Sequence, residues 1–357
     1  MPAFDTLLET CPALAQHPRT ALGDGPTAIQ RAERLGGELD LDLLIKRDDT
    51  FDLMLGGNKV RQLEFYFGEA EAMQADTILI TGAVQSNFVR LAAAAARKLG
   101  MQPIVQLEER VPSNDASYRQ SGNALLDHLM GATVHHYPEG EDEAGADARL
   151  EELAEVERAN GRRPYVIHLG IDHPPIGALG YVVCGLEAMA QLEEAPDQAV
   201  VPSGSGLTHA GFLVGVRLAG WQGPVHGICV RRDAEAQRAR VLRRAREVAA
   251  LLEVPDLIAE DDVLVHDHVL KPGYGRLNRE VLEAILRAAR SESLLLDPVY
   301  SGRNMAGLID LRARGTLSEN ERILTVHTGG TPGVFGYADK LNAALADPAS
   351  VPSVREL

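Results

Sequence analysis

The sequence predicts an α/β protein built on open, twisted, mostly parallel sheets that are covered by helices. Apolar, strand-like runs alternate with helix-like periods from residue 76 onward. This alternation predicts parallel strands, because a helix between two strands of one sheet serves as the crossover connection that parallel strands need. The 357 residues suffice for about two such units.

Strands and helices are predicted in alternation along the chain. The strand-like runs are 76–82, 103–109, 132–137, 164–170, 198–204 and 223–230. The helix-like runs are 86–100, 116–130, 142–160, 176–193 and 207–219. Clusters of glycine and proline punctuate this pattern at 56–57, 170–180 and 272–273. We therefore predict a large discontinuous domain, residues 1–64 with 171–357, and a small α/β domain, residues 65–170.

The composition excludes several classes of partner. The formal net charge of −16 repels nucleic acid and anionic membrane surfaces. The sequence has no apolar run near the ~20 residues that a membrane span needs, and its first residues lack the basic region of a signal peptide. The cysteines Cys11, Cys184 and Cys229 are isolated, which predicts a reducing cytoplasm and neither a disulfide framework nor a zinc site. We expect a cytoplasmic protein with no nucleic-acid, membrane or metal partner.

The first candidate for chemistry is the loop LGGNK, with Lys59 where a helix begins. Leu63, Phe67 and Ala70 recur after it at helical spacing. The partial positive charge of a helix N-terminus disfavours an ammonium, so this position can lower the lysine pKa and yield a free amine nucleophile. An exposed lysine in a first helical turn is the ordinary alternative.

The second candidate is the strand-to-helix loop TGAVQSNFVR at 81–90. Ser86 or Asn87 is the predicted N-cap, and Gln85 adds a third hydrogen-bonding side chain. Free backbone N–H groups at such a turn bind carboxylate or phosphate. Plain helix capping is the alternative explanation.

The third candidate is VVPSGSGLTHAG at 200–211, in which a strand enters a Gly/Ser-rich loop that opens a helix. Glycines permit close backbone approach, and Ser205 and Thr208 supply hydroxyls, which is the pattern of a phosphate-binding loop. An ordinary αβ loop is the alternative. In the C-terminal half, Tyr274 and Tyr300 lie in glycine-bearing loops, where each is either a half-buried anchor or a phenol facing a cavity.

Seven motifs in this order resemble one enzyme family. They are KRDD (46–49), GGNKVR (56–61), GAVQSN (82–87), SGSGLTHAG (203–211), PGYGxxN (272–278), LDPVYSGR (296–303) and HTGG (327–330). Together they are similar to the pyridoxal-phosphate enzymes of the D-cysteine desulfhydrase and 1-aminocyclopropane-1-carboxylate deaminase family. The resemblance spans about residues 44–337.

The resemblance implies the tryptophan-synthase-β-like fold, fold type II, in which two α/β domains enclose one pyridoxal 5'-phosphate, usually in a homodimer. Lys59 matches the lysine that binds the cofactor covalently. The implied catalytic residues are Lys59, Ser86, Tyr274 and Tyr300. The implied cofactor contacts are Asn58, Lys59, Asn87, Ser203, Gly204, Ser205, Gly206, Leu207, Thr208 and Thr328. The implied substrate contacts are Gln85, Ser86, Asn87, Tyr274 and Tyr300.

Two positions indicate the type of reaction. Thr328 matches a neutral hydroxyl at the pyridine nitrogen, which favours concerted elimination over reactions that need a protonated ring. The deaminase branch has Glu directly after the tyrosine that Tyr300 matches, and here Ser301 stands there. The resemblance therefore predicts β-elimination from a small, sulfur-bearing amino acid, with release of pyruvate and ammonia. Sulfide as the leaving group gives a D-cysteine desulfhydrase, and sulfite gives an L-cysteate sulfo-lyase.

Some residues depart from the pattern of the family. Gln62 stands where relatives usually have a basic residue, and Phe88 where they often have a polar one. Asp172 and His173 stand where small polar residues are common, so they are either specificity determinants or part of a surface insertion.

Three side chains are candidate donors to a sulfonate group: Arg303, His173 and Thr331. Two other functions stay open for the whole chain. One is a pyridoxal-phosphate-dependent deaminase or racemase of a small amino acid, and the other is a non-catalytic ligand-binding protein on the same fold.

Overall fold

The chain is described by a computed structural model that covers residues 4–357, and two separate sheets organise this part of it. The strands are β1 (Ile29–Arg31), β2 (Asp42–Lys46), β3 (Thr77–Ala83), β4 (Gln102–Glu108), β5 (Thr133–Tyr137), β6 (Pro164–Ile167), β7 (Gln198–Ser203), β8 (Val225–Cys229), β9 (Leu264–His266) and β10 (Arg322–Val326). Within residues 4–357, one sheet has six strands and the other has four.

Both sheets are mostly parallel, as the sequence predicts. The larger has the order β1-β2-β10-β7-β8-β9, in which only the edge pair β1–β2 is antiparallel within the described residues. The smaller has the order β5-β4-β3-β6, and its pairs are parallel. Strands β3, β7 and β8 are buried along almost their whole length, because helices cover both faces.

Helices connect the strands, and their apolar residues fill the space between helix and sheet. They are α1 (Phe4–Thr10), α2 (Glu33–Leu39), α3 (Lys59–Ala72), α4 (Asn87–Lys98), α5 (Ala116–Gln120), α6 (Gly122–Leu129), α7 (Glu143–Ala159), α8 (Leu179–Gln191), α9 (Leu207–Leu218), α10 (Ala234–Leu251), α11 (Arg279–Glu292), α12 (Ser301–Ala313), α13 (Thr331–Gly336) and α14 (Ala338–Ala346). Across residues 4–357, no helix has the length and apolarity needed to cross a bilayer.

One predicted helix is wrong: residues 116–130 form two helices, α5 and α6, rather than one. The chain bends at Gly122, which has a φ of +59° that a side chain would strain. A Cβ on Gly122 would lie 2.5 Å from the carbonyl oxygen of Pro332 and 2.6 Å from Oε1 of Gln85. The break therefore reflects packing against segments that are distant in sequence.

The predicted division into domains stays a prediction. The strands of the smaller sheet all lie between residues 77 and 167, inside the range 65–170. The boundary at 64/65 falls within α3, which is one continuous helix.

A buried network of charged side chains joins the end of β2 to α3. Arg61 donates from Nη2 to Asp48 Oδ1 and from Nη1 to Glu187 Oε2, each at 2.9 Å. Lys46 also donates to Glu187, and the Tyr181 hydroxyl donates to Asp48 at 2.8 Å. Burial alone would raise the pKa of Asp48, but the charges of Arg61 and Lys46 and the hydrogen bonds from Arg61 and Tyr181 together hold that pKa below its usual range. The network fixes the start of α3, where Lys59 lies.

Candidate active site

A cleft lies at the carboxyl ends of strands from both sheets, which is where α/β proteins commonly bind ligands. Gly82 and Ala83 at the end of β3 line one side. Pro202 near the end of β7 and Thr328 beyond β10 line the other. The cleft therefore collects residues that are far apart in the sequence.

Lys59 lies in this cleft at the first position of α3. Its Nζ donates to Gln62 Oε1 at 3.1 Å and lies 5.0 Å from the centre of the Phe88 ring. Burial among such neighbours disfavours the ammonium and lowers the pKa of Lys59 to about 8. A substantial fraction of this amine is thus neutral at physiological pH.

The loop before Lys59 (residues 53–57), which we call the arginine-held loop, has an unusual backbone conformation. Met54, Leu55, Gly56 and Gly57 all have positive φ, and a Cβ on Gly56 would lie 2.3 Å from a backbone oxygen. Arg90 of α4 is fully buried and donates to the carbonyl oxygens of Met54 and Gly56. These bonds satisfy backbone acceptors of a strained segment and hold it against α4.

Helix α4 begins at the cleft wall. Ser86 is its N-cap, because its Oγ accepts a hydrogen bond from the Val89 N–H at 3.2 Å. Ser86 and Asn87 both line the cleft. The first N–H groups of a helix have no intrahelical acceptor, so this end can bind a carboxylate.

The Gly/Ser-rich loop opens α9 in the same cleft. Gly206 precedes the helix with a φ of +93°, a conformation that favours glycine. The Thr208 hydroxyl accepts hydrogen bonds from Asn58 Nδ2 and Gln62 Nε2, each at 3.0 Å. Gln62, the departure noted in the sequence, therefore ties the loop to α3.

Thr328 offers a free hydroxyl to the cleft. Its Oγ1 is buried, and it has no hydrogen-bond partner among residues 4–357. Its backbone oxygen accepts from the N–H of Asn58 at 3.1 Å, which fixes the residue beside the start of α3. Buried hydroxyls normally have a partner, so this one fits a ligand that carries an acceptor or donor.

Tyr274 and Tyr300 form a pair in the cleft. Their hydroxyl oxygens are 2.8 Å apart, and their rings meet edge to face with centroids 6.0 Å apart. Burial raises the pKa of both phenols above the ordinary value. One hydroxyl donates to the other, which leaves the second proton available to a ligand.

Arginines form a basic wall around the cleft. Arg231 donates to Glu143 Oε1 at 2.7 Å and Arg240 to Glu143 Oε2 at 3.1 Å, and Arg232 also donates to this carboxylate. Burial alone would raise the pKa of Glu143, but the three guanidiniums lower it overall. Arg110 also lines the cleft, where it pairs with Glu108 at 2.8 Å, and Arg231 pairs with Glu141 at 2.9 Å. The four arginines outnumber the three carboxylates, which suits an anionic ligand.

Most of the predicted site residues meet here. The cleft is lined by Asn58, Lys59, Ser86, Asn87, Gly204, Ser205, Gly206, Thr208, Tyr274, Tyr300 and Thr328. Gln85, Ser203 and Leu207 do not line it. Gln85 instead donates from Nε2 to the backbone carbonyl oxygen of Tyr118 at 2.7 Å, and Ser203 Oγ accepts from Gln237 at 2.8 Å. Leu207 is buried in the apolar core.

The residues considered for sulfonate binding, Arg303, His173 and Thr331, lie elsewhere, and so does Asp172, which is considered with His173 as a specificity determinant. Arg303 is buried and donates to backbone oxygens, among them that of Val269 at 2.6 Å. Asp172 pairs with Arg243 on the surface, and His173 contacts Asp147 outside the cleft. Thr331 is not among the residues that line the cleft.

The basic wall was missed by sequence reasoning. Arg231 and Arg232 follow β8 closely, at the carboxyl end of a strand, and this position is the signal that could have identified them. Glu143, whose carboxylate accepts hydrogen bonds from these arginines, lies 88 residues before Arg231 in the sequence.

Comparison with known proteins adds three likenesses. A family model described as pyridoxal-phosphate dependent enzyme matches residues 20–329. A D-cysteine desulfhydrase of Klebsiella pneumoniae subsp. pneumoniae is 40% identical over 326 residues, covering 91% of this chain and 97% of the relative. One of Yersinia enterocolitica is 41% identical with the same coverage.

Solved structures give the same result for the fold. A structure described as an ACC deaminase homologue superposes with a TM-score of 0.83 at 36% identity, covering 93% of this chain and 98% of its own. Threonine deaminase isoform 2 of Solanum lycopersicum, at 14% identity, has a TM-score of 0.62 and shows likeness of fold alone. The predicted fold type II, with two mostly parallel sheets covered by helices, is confirmed.

Proposed function

This chain belongs to the pyridoxal-phosphate dependent enzymes, and from that premise we propose that it is a carbon–sulfur lyase acting on D-cysteine. The reaction consumes cysteine and water and releases pyruvate, ammonia and sulfide. The proposal rests mainly on one cleft that contains both the Lys59 amine of lowered pKa and the hydrogen-bonded hydroxyls of Tyr274 and Tyr300. The likeness to two curated D-cysteine desulfhydrases supports the choice of substrate.

The residues of the cleft fit pyridoxal phosphate. Lys59 offers the amine that would bind its aldehyde, and the unpartnered hydroxyl of Thr328 suits its pyridine nitrogen. The loop Gly204–Gly206 with Thr208 offers backbone and hydroxyl donors for its phosphate. Bound there, the cofactor would supply an electron sink that makes the proton on the substrate Cα easier to remove.

The chain's own residues then perform the proton transfers. The Lys59 amine removes the Cα proton, and Ser86, which lines the same cleft, is the alternative carrier of that proton. The N-terminus of α4, at Ser86 and Asn87, binds the substrate carboxylate. The tyrosine pair donates a hydrogen bond to the departing sulfur, because a buried phenol of raised pKa keeps its proton and stays a donor.

Elimination is preferred over deamination of a cyclopropane. The Ser301 hydroxyl is buried and donates to Asp297 Oδ1 at 2.7 Å. The position after Tyr300 thus offers no free carboxylate to a substrate.

We expect Tyr274→Phe to lower kcat for D-cysteine about 10²-fold or more, because the pair loses one of its two hydroxyl hydrogen-bond donors. Pyruvate formation under saturating substrate measures the effect. Tyr165→Phe is the matched control, since that hydroxyl bonds to Glu69 outside the cleft. Equal kcat values for Tyr274→Phe and the unaltered enzyme would refute the role.

Recombination with the cofactor is expected to depend on pH. Below pH 8, the rate at which the cofactor-free chain regains its visible band rises roughly tenfold per pH unit, because only the neutral Lys59 amine reacts. Above pH 9 the rate levels off. An ordinary lysine would keep the rate rising beyond pH 10, and that result would contradict a lowered pKa.

A second candidate substrate is L-cysteate, and the basic wall favours it. Its sulfonate leaves as sulfite, and Arg110, Arg231, Arg232 and Arg240 supply positive charge at the cleft. Neutralising Arg231 with glutamine would then weaken turnover of cysteate more than that of cysteine.

A substrate panel tests both candidates. The purified chain receives D-cysteine, L-cysteine, L-cysteate or β-chloroalanine, and pyruvate, sulfide and sulfite are assayed. The proposed reaction gives pyruvate and sulfide in equal amounts from D-cysteine. Sulfite from L-cysteate with no sulfide from D-cysteine selects the second candidate, and no pyruvate from any compound refutes elimination.

We also propose a homodimer in the cytoplasm. In the described part of the chain, Cys11, Cys184 and Cys229 are buried and free, as suits a reducing compartment. Leu129 of α6 and Phe335 of α13 are 70% and 56% exposed, so they offer apolar surface to a second copy. Light scattering of the purified protein should give about twice the mass of one chain.

A further inference from the structure

Two histidines and an aspartate meet outside the active-site cleft, beside α7. Asp147 lies on α7, and His168 and His173 lie on the segment between β6 and α8. One possible ligand atom from each of the three lies within 4.8 Å of the others. This cluster is separate from the residues that bind substrate or cofactor in the proposed function.

The separations within the cluster suit a shared cation. Asp147 Oδ2 is 3.6 Å from His173 Nε2, and Asp147 Oδ1 is 3.9 Å from His168 Nδ1. Both distances exceed those of a hydrogen bond. They are close to the roughly 3.3–3.5 Å that separates two ligand atoms about 2.0–2.1 Å from one tetrahedral ion.

His168 is oriented as a ligand. Its Nε2 lies 2.8 Å from Glu151 Oε1, a contact that favours the tautomer with the proton on Nε2 and a lone pair on Nδ1. That Nδ1 is buried and has no hydrogen-bond partner anywhere in residues 4–357. A carboxylate behind a histidine whose other nitrogen is free is the usual outer shell of a metal site.

The backbone around the cluster is already fixed. The Gly170 N–H donates to Asp147 Oδ2 at 3.2 Å, and Arg244 donates to the carbonyl oxygens of Gly170 and His173 at 2.7 and 2.6 Å. The His173 ring lies stacked on His168, with centroids 3.7 Å apart and an angle of 4°. Its side chain is 39% exposed, so the ring has room to turn and aim its lone pair at a cation.

We propose that Asp147, His168 and His173 bind a divalent transition-metal cation of the Zn²⁺ type, with Glu151 orienting His168. Two imidazole nitrogens and one carboxylate oxygen are ligands that such ions prefer, and a water completes a tetrahedral site. Leu169, between the two histidines, lines the active-site cleft. A bound ion therefore fixes a segment whose other side faces the substrate.

Calorimetric titration of the untagged holoenzyme with Zn²⁺ tests this site without reference to turnover. We expect one ion per chain, with binding lost in Asp147→Asn and in His173→Ala. Glu151→Gln should weaken binding about 10- to 100-fold, as for other outer-shell carboxylates. His128→Ala, which removes an exposed histidine of α6, is the control and should bind as the unaltered enzyme does.

Retention of the visible cofactor band and of the circular dichroism spectrum shows that each variant is folded. Absence of one-to-one binding to the unaltered enzyme overturns the proposal. Equal binding by the unaltered enzyme, Asp147→Asn and His173→Ala also overturns it, because the ion would then bind elsewhere.

Discussion

Lys59→Ala is expected to remove the visible absorbance of the purified chain and to lower pyruvate formation at least about 10³-fold. Alanine at this position has no amine, so it can neither hold the cofactor covalently nor move the Cα proton. The absorbance spectrum reports the first loss and the pyruvate assay reports the second.

Lys340→Ala is the matched control for this variant, since Lys340 lies near Asp115 and outside the cleft. It should keep both the band and the activity. A coloured, active Lys59→Ala enzyme would show that another amine binds the cofactor and moves the Cα proton. That result would refute the role proposed for Lys59.

Arg61→Met is expected to lower the free energy of unfolding by about 3–5 kcal/mol. The methionine fills much of the same space but leaves Asp48 and Glu187 in a buried site without their main cation. Urea unfolding of the holoenzyme, followed by circular dichroism, measures the change.

An exposed ion pair gives the contrast. Arg149 pairs with Glu152 at 2.6 Å on the surface of α7, where solvent screens the interaction. Arg149→Ala should cost less than about 1 kcal/mol. If Arg61→Met costs no more than this control, the buried network is not what stabilises the start of α3.

The fold could be predicted largely because its signals are local. Each strand ends in a glycine or polar turn and each crossover helix has its own periodicity, so the sequence alone indicates parallel sheets. The exception is Gly122, where contacts from Pro332 and Gln85 break a helix that looks continuous in sequence. No local pattern reports such a contact.

The residues of the candidate site also fall into two groups: those that a local sequence motif predicts, and those that only the fold brings together. Lys59 and Thr208 lie in the first turns of α3 and α9, directly after glycine-bearing loops, where a short motif is informative by itself. Arg231 and Arg110 lie in the cleft only because two sheets bring their strand ends together. Gln85 shows the reverse case: it belongs to a motif, yet its amide hydrogen-bonds to the α5–α6 segment.

The arginine-held loop has a consequence for how this chain tolerates sequence change. Arg90 holds the backbone just before Lys59 through hydrogen bonds to carbonyl oxygens. A substitution at position 90 should therefore displace the Lys59 amine, although Arg90 makes no contact with that amine. Among revertants selected from an Arg90→Leu parent, second-site changes should concentrate at positions 53–57. Mutational effects at position 90 and at positions 53–57 would then be epistatic, although the two stretches are separated along the chain.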